Sequence, residues 1–311
     1  MLLLAAAAIL PRLFWDAAPD TAADLRNAGI VHIAVPAARA DAWKGTSGIT
    51  IEIADPKGAV KMTAPSVDYR ANQGTATRAP WLNANPWEFL RHPQGTFVYN
   101  VAGQQAPLAA AEAFSYGANA LLQSDAAGLQ PLARMLEFLR GVEPADLPAV
   151  ADIGFVDDGS DDAGEVLNLM VRGNLLVQLV PKGGHGRKLT VELGTKDYPR
   201  GQAAQNPGAL AHLVRANLTD DRRGLRIYGS QVVLGRLTAA GNRLRLQLLN
   251  YAGGDRKVDG LRVRVLGRYA NHRIAAAGSP GEQLLDYTVE TDATEFTLPE
   301  LKTFAVIDLS K

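Results

Sequence analysis

Residues 232–250 read VVLGRLTAAGNRLRLQLLN, and this stretch decides the second half of the fold. Val232–Leu237 and Leu244–Asn250 both have period-two character, and Ala240-Gly241-Asn242 between them is a turn signal. Alternation of this kind turns one face of a strand to a core and the other to water. The rhythm continues through Leu225–Tyr228, Leu261–Leu266, Arg273–Ala276, Thr294–Leu298 and Thr303–Asp308, with Gly253-Gly254-Asp255 as a further turn. Short strands at roughly 8–12-residue spacing indicate an antiparallel β-sandwich. Its expected span is 222–311.

Upstream the pattern is different. Arg12–Asp16, Val31–Pro36 and Ile49–Ile53 read as strands separated by helices Ala22–Ala28, which stops at Gly29, and Ala37–Trp43. Ser66–Arg70 is a fourth strand candidate, followed by an irregular stretch from Ala71 to Gln105. Then come helix Pro107–Asn119, strand Ala120–Ser124 and an amphipathic helix carrying Leu129, Leu132, Met135, Leu136 and Leu139. Asp152–Val156, Leu175–Val180 and Lys188–Leu193 add strands; Gly164–Arg172 and Pro207–Asn217 add helices. Strands separated by helices imply parallel pairing through right-handed crossovers. About eight of them suit a shrunken (β/α)8-barrel-like body. That body is expected over 11–221, although the segment after Ala149 equally suits a separate flavodoxin-like unit.

Composition narrows the function. The 311 residues suffice for about two domains. Lys+Arg and Asp+Glu both number 32, so no overall basic field exists to gather nucleic acid. There is no cysteine, which removes disulfides, thiolate nucleophiles and Cys-ligated zinc. The five histidines lack His-Glu-x-x-His spacing, and Gly183-Gly184-His185-Gly186 lacks the Lys of a phosphate-cradling loop. No metal and no cofactor is therefore expected. Asp157-Asp158-Gly159-Ser160-Asp161-Asp162 departs from the order of an EF-hand and reads as a solvated acidic turn. Met1–Leu10 falls short of the roughly 20 apolar residues of a membrane span. It reads either as the apolar part of a signal peptide, with small Ala6 and Ala8, or as a buried first element. The first reading implies a secreted or periplasmic protein.

A resemblance adds to this. Leu248-Leu249-Asn250-Tyr251, Leu261-Arg262-Val263-Arg264-Val265 and the run Phe296 to Ile307 (FTLPELKTFAVI) resemble the terminal β-sandwich of many barrel glycoside hydrolases. The body is similar to a group of bacterial proteins built like degenerate barrel glycosidases. The phrases APWLNAN (79–85), AAEAFSYGANA (110–120) and DIGFVDDG (152–159) carry that likeness. The resemblance implies an accessory role for the tail and a carbohydrate partner for the body. It transfers no catalytic residue.

Glycoside hydrolysis needs two carboxyl groups about 5 Å apart for retention or 6.5–9.5 Å for inversion, and barrel chemistry sits at strand C-terminal ends. Asp16, Glu88, Glu112 and Asp157 are the candidate acids. Strand-end Asp residues also cap helices, and a Glu on an Ala-rich helix such as Glu112 usually faces solvent. Trp81, Asn83, Asn85 and Trp87 form the densest sugar-like set, with Trp15 as a further wall. Aromatic faces pack on pyranose rings while amides offer fixed hydrogen bonds to hydroxyls. Strand Leu175–Val180 ends in Val-Pro, whereas active retaining barrels commonly carry a carboxylate late in the barrel. That departure favours the alternative of a non-catalytic carbohydrate-binding or scaffold protein.

Overall fold

Gly29 shows how local chemistry sets the first elements. Its φ of 86° lets the backbone turn out of the helix while its N–H still bonds to Arg26 and Leu25 carbonyls, a left-handed exit that a side chain would strain. A computed structural model describes residues 9–71, 78–145, 147–184, 187–253 and 256–311. Most of Met1–Leu10, including Ala6 and Ala8, lies outside the described residues, as do His185, Gly186, Gly254 and Asp255.

In chain order the first half runs β1 (Arg12–Leu13), α1 (Ala22–Ala28), β2 (His32–Val35), α2 (Ala37–Trp43), β3 (Thr50–Ile53), β4 (Val60–Met62), β5 (Ser66–Ala71), β6 (Arg78–Asn83), α3 (Pro86–Arg91), β7 (Thr96–Val101), α4 (Gln105–Ser115), β8 (Asn119–Ser124) and α5 (Ala126–Gly141). Then follow β9 (Ile153–Val156), α6 (Asp161–Arg172), β10 (Val177–Leu179), β11 (Leu189–Glu192), α7 (Arg200–Gln205) and α8 (Pro207–Leu218).

The main sheet is parallel in the order β1-β8-β7-β4. A single bridge, Phe14 to Ala34, carries the β2-β3 pair beside β1. Among the described residues β3 and β4 do not pair, so the expected eight-stranded barrel is not closed. The other parallel strands form a separate sheet, β10-β9-β11. Its buried residues and those of α6 to α8 make a cluster of their own around Phe155, Val166 and Leu210.

The stretch expected to be irregular holds β6, α3 and β7. β5 and β6 pair antiparallel, with Ser66 opposite Asn83 and Asp68 opposite Trp81. Too few residues separate them for a crossover helix, so a hairpin is the available return.

The tail contains β12 (Leu225–Tyr228), β13 (Val233–Ala240), β14 (Arg243–Asn250), β15 (Val258–Leu266), β16 (Asn271–Ala276), β17 (Leu285–Val289), β18 (Ala293–Leu301) and β19 (Phe304–Ser310). They form two four-stranded antiparallel sheets, β12-β15-β18-β17 and β13-β14-β19-β16. Leu246, Leu248 and Ile307 of one sheet and Val263, Phe296 and Leu298 of the other share one buried cluster.

The tail also completes the body. Leu234, Leu249, Tyr251, Phe304 and Val306 belong to the same buried cluster as Leu13, Val35, Phe97, Tyr99 and Leu122. Phe304 presents its ring edge-on to both Phe114 and Phe138, with centroids 6.2 and 6.1 Å apart. No helix among the described residues is long and apolar enough to cross a membrane.

Candidate functional site

β6 and α3 build the site. Trp81 and Asn83 are two residues apart on β6, so they share a face, while Leu82 turns into the core. Ser66 and Asp68 stand beside them on β5 and orient the amide: Asn83 Nδ2 donates to Ser66 Oγ at 2.9 Å and to Asp68 Oδ2 at 3.0 Å. Two residues later α3 begins at Pro86, a residue suited to the first helical turn because its missing N–H is no loss there. Its first turn delivers Trp87 and Glu88.

These side chains meet. Trp81, Asn83, Asn85, Trp87 and Glu88 line one cavity of about 150 Å3, together with Lys61, Thr63 and Asn168. That volume is below the roughly 300–1,000 Å3 of pockets that enclose drug-sized ligands, so it accommodates one small polar group such as a single sugar ring. Trp81 carries the Arg172 guanidinium over its ring at 3.5 Å, and Trp87 has Arg91 at 5.5 Å. A sugar stacking on Trp81 therefore has to use the ring face opposite Arg172. Glu88 keeps 22% of its side chain exposed and lies 3.6 Å from His92 Nε2. Burial raises its pKa, opposed by the nearby His92 and Arg91.

Behind the cavity lies a polar knot. Glu112 is 0% exposed on α4. Its Oε1 accepts from the Asn85 backbone N–H at 2.9 Å and from Tyr251 Oη at 2.5 Å. Its Oε2 accepts from Asn85 Nδ2 at 2.8 Å and from Tyr99 Oη at 2.7 Å. Burial pushes the Glu112 carboxyl up, and these four donors work against that shift. The remaining groups of Asn85 bond to Thr63, whose N–H donates to Oδ1 and whose carbonyl accepts from Nδ2. One wall of the cavity is thus fixed from behind by a buried carboxylate.

The four candidate acids are not gathered. Among the described residues Glu88 is the one carboxylate that lines the cavity. Glu112 is separated from the cavity by Asn85 and faces inward, which corrects the expectation of a solvent-facing side chain. α4 is buried from Ala106 to Ser115 because its small alanines allow close packing on every side. Asp157 is paired with Arg91 at 2.7 Å, its side chain 14% exposed, and also accepts from the Gly159 N–H. Asp16 is 65% exposed and lies 3.5 Å from Arg39. Trp15 packs against the main core and donates from Nε1 to Thr21, away from the cavity.

Asp125 and Asp158 cap a helix and close a turn, whereas Asp20 lies inside a short 3-10 turn whose N-cap is Ala18. Asp125 Oδ1 accepts from Gly128 at the start of α5 and from Gly103. In the acidic run, Asp158 accepts from Ser160, and Ser160 in turn caps α6. Hydrogen bonds from Ser160, with Arg200 nearby, hold Asp158 down to about 2.

Sequence reasoning missed Lys61, Thr63 and Asn168. Lys61 sits on a three-residue strand with no periodicity to reveal it. Asn168 lies on α6, and only the packing of α3 on α6 brings it to the cavity.

No family model matches this chain, and no curated protein matches it. Among solved structures it is similar to α-L-fucosidase isoenzyme 2 from Paenibacillus thiaminolyticus, with a TM-score of 0.53 and 8% identity. The match covers 70% of this chain and 61% of that one, so the chain spans under two thirds of the fucosidase. A GH30 endoxylanase from Clostridium papyrosolvens C71 aligns over 97% of this chain and 95% of its own, at 10% identity and a TM-score of only 0.22. The first likeness supports a glycoside-hydrolase-like fold; the second is too loose to carry weight.

Proposed function

We propose that this protein binds carbohydrate without cleaving it, gripping one sugar ring between Trp81 and Trp87. The observation that carries this reading is a cavity in which two tryptophans and two oriented amides meet one carboxylate among the described residues. Stacking and fixed amides are what pyranose recognition requires, and hydrolysis needs a facing pair of acids. The body, 11–221, supplies the cavity. The tail, 222–311, is an accessory β-sandwich that props the body from behind. Action on carbohydrate outside the cytoplasm agrees with the apolar start of the sequence.

A second reading is favoured by one observation. Burial raises the pKa of Glu88, as suits a proton donor, and Asn83 links the cavity to the Asp68 carboxylate. In this reading Glu88 and Asp68 are the acid pair.

A glycan-array screen on residues 11–311, with every hit re-run in a reducing-end release assay, separates the two. Binding without release, weakened at least tenfold in Trp87→Ala, is the expected result. Release that disappears in both Glu88→Gln and Asp68→Asn would establish the second reading. Absence of any glycan binding would remove both.

A further inference from the structure

A second cavity, of about 300 Å3, lies at the C-terminal end of α3. Phe89, His92, Phe97, Tyr116 and, from β10, Leu179 line it from the body, and Arg236 lines it from β13 of the tail. The aromatic wall is well ordered. Phe89 and Phe97 meet edge to face at 4.8 Å, and Phe89 lies 5.4 Å from Tyr116 at a 31° tilt.

Arg236 is the unusual member. Its guanidinium lies over the Tyr116 ring at 4.4 Å. Among the described residues it makes no ion pair and no side-chain hydrogen bond. Arg236 is half-buried, and other arginines that are half-buried or buried are neutralised: Arg91 by Asp157, Arg245 by Asp308, Arg264 by Asp292 and Glu295, and Arg223 by Asp220. Tyr116 cannot serve as a counter-ion, because burial pushes its hydroxyl up to about 12. Burial also disfavours the charge on Arg236 itself. A guanidinium remains charged at neutral pH and presents a fork matched to a carboxylate. The site therefore has a cation, an apolar lining and, among the described residues, no anion in that lining.

We infer that this cavity is a binding site for a small carboxylate with a flat apolar body, such as an aryl carboxylate. Arg236 forks the carboxylate, and the half-buried side chains of Leu90, Tyr116 and Leu179 cover the body. The site is distinct from the tryptophan cavity and takes a different class of ligand. The apolar walls disfavour a strongly hydrated anion such as inorganic phosphate.

Isothermal titration of the full chain with benzoate, benzamide and inorganic phosphate provides the test. Saturable binding of benzoate alone is expected. Arg236→Gln should weaken it at least tenfold, and Arg236→Lys, which keeps the charge and loses the fork, should fall between. Leu179→Trp fills the cavity while leaving Arg236 in place, and should abolish binding even if the Arg236 variants fold poorly. The inference is overturned if benzoate fails to bind the wild-type chain. It is equally overturned if benzamide or phosphate binds as well as benzoate, or if folded Arg236→Gln binds benzoate undiminished.

Discussion

At the scale of single residues, Glu112 sets the sharpest expectations. Its two oxygens are matched to four donors in a sealed site. Glu112→Gln replaces one oxygen by an amide that meets donors with a donor, so a loss of about 1–3 kcal/mol is expected. Urea denaturation reads this directly as a lower midpoint at unchanged slope. The pH dependence has a definite sign. Burial raises the Glu112 pKa above its ordinary 4.5, so the folded chain holds a proton that the unfolded chain releases. The contribution of this group is complete below the ordinary carboxylate range and is lost as pH rises through the raised value. Stability of the wild type should therefore decline with rising pH above about 4.5, and Glu112→Gln should flatten the decline; an unaltered slope would contradict the assignment. Asp158 acts oppositely. Held at about 2 against an ordinary 3.8, it contributes stability that disappears as pH falls through that interval. Asp158→Asn should make acid unfolding shallower, as followed by circular dichroism between pH 4 and pH 2.

At the scale of elements, α3 and α6 control the cavity through one glycine. A Cβ on Gly164 of α6 would stand 2.7 Å from Arg91 Nη1 and 3.2 Å from the Trp87 ring. Gly164→Ala should cost about 1–3 kcal/mol from overpacking. It should also displace Trp87, so that glycan affinity falls in a protein that remains folded. Equal affinity in the variant would show that Trp87 does not form the ring platform. The legibility of the sequence divides along the same lines. α1 and α2 stand where composition placed them because Gly29 and Pro36 punctuate their ends. Trp81, Asn83, Asn85, Trp87 and Glu88 are readable as a set because they crowd within eight positions of the sequence, whereas the strand and helix that carry them lie in a stretch that reads as irregular. What stayed hidden depends on long-range packing. β4 has only three residues, and its parallel pairing with β7 is what identifies it. The inward aim of Glu112 was equally hidden, since an Ala-rich helix has no polar face from which to judge its orientation.

At the scale of the whole molecule, the change of rhythm near residue 221 does not divide the core. Leu249, Tyr251 and Phe304 from the tail complete the cluster around Phe97, Tyr99 and Leu122. A chain ending at residue 221 would lose that cover together with one of the four donors to Glu112. Such a truncation should bind the dye ANS and melt without a cooperative transition, as loosely packed states do. A cooperative transition within a few degrees of the full chain would refute this. The Tyr251–Glu112 bond has a further consequence, for the newborn chain. Its partners are 139 residues apart. Synthesis at about 5–20 residues per second leaves the Glu112 carboxylate waiting on the order of 7–28 s for Tyr251. Until Tyr251 emerges from the ribosome, burying that carboxyl leaves one of its four hydrogen bonds unmade. α4 should therefore stay open to water, and vulnerable to proteases, until translation is nearly done.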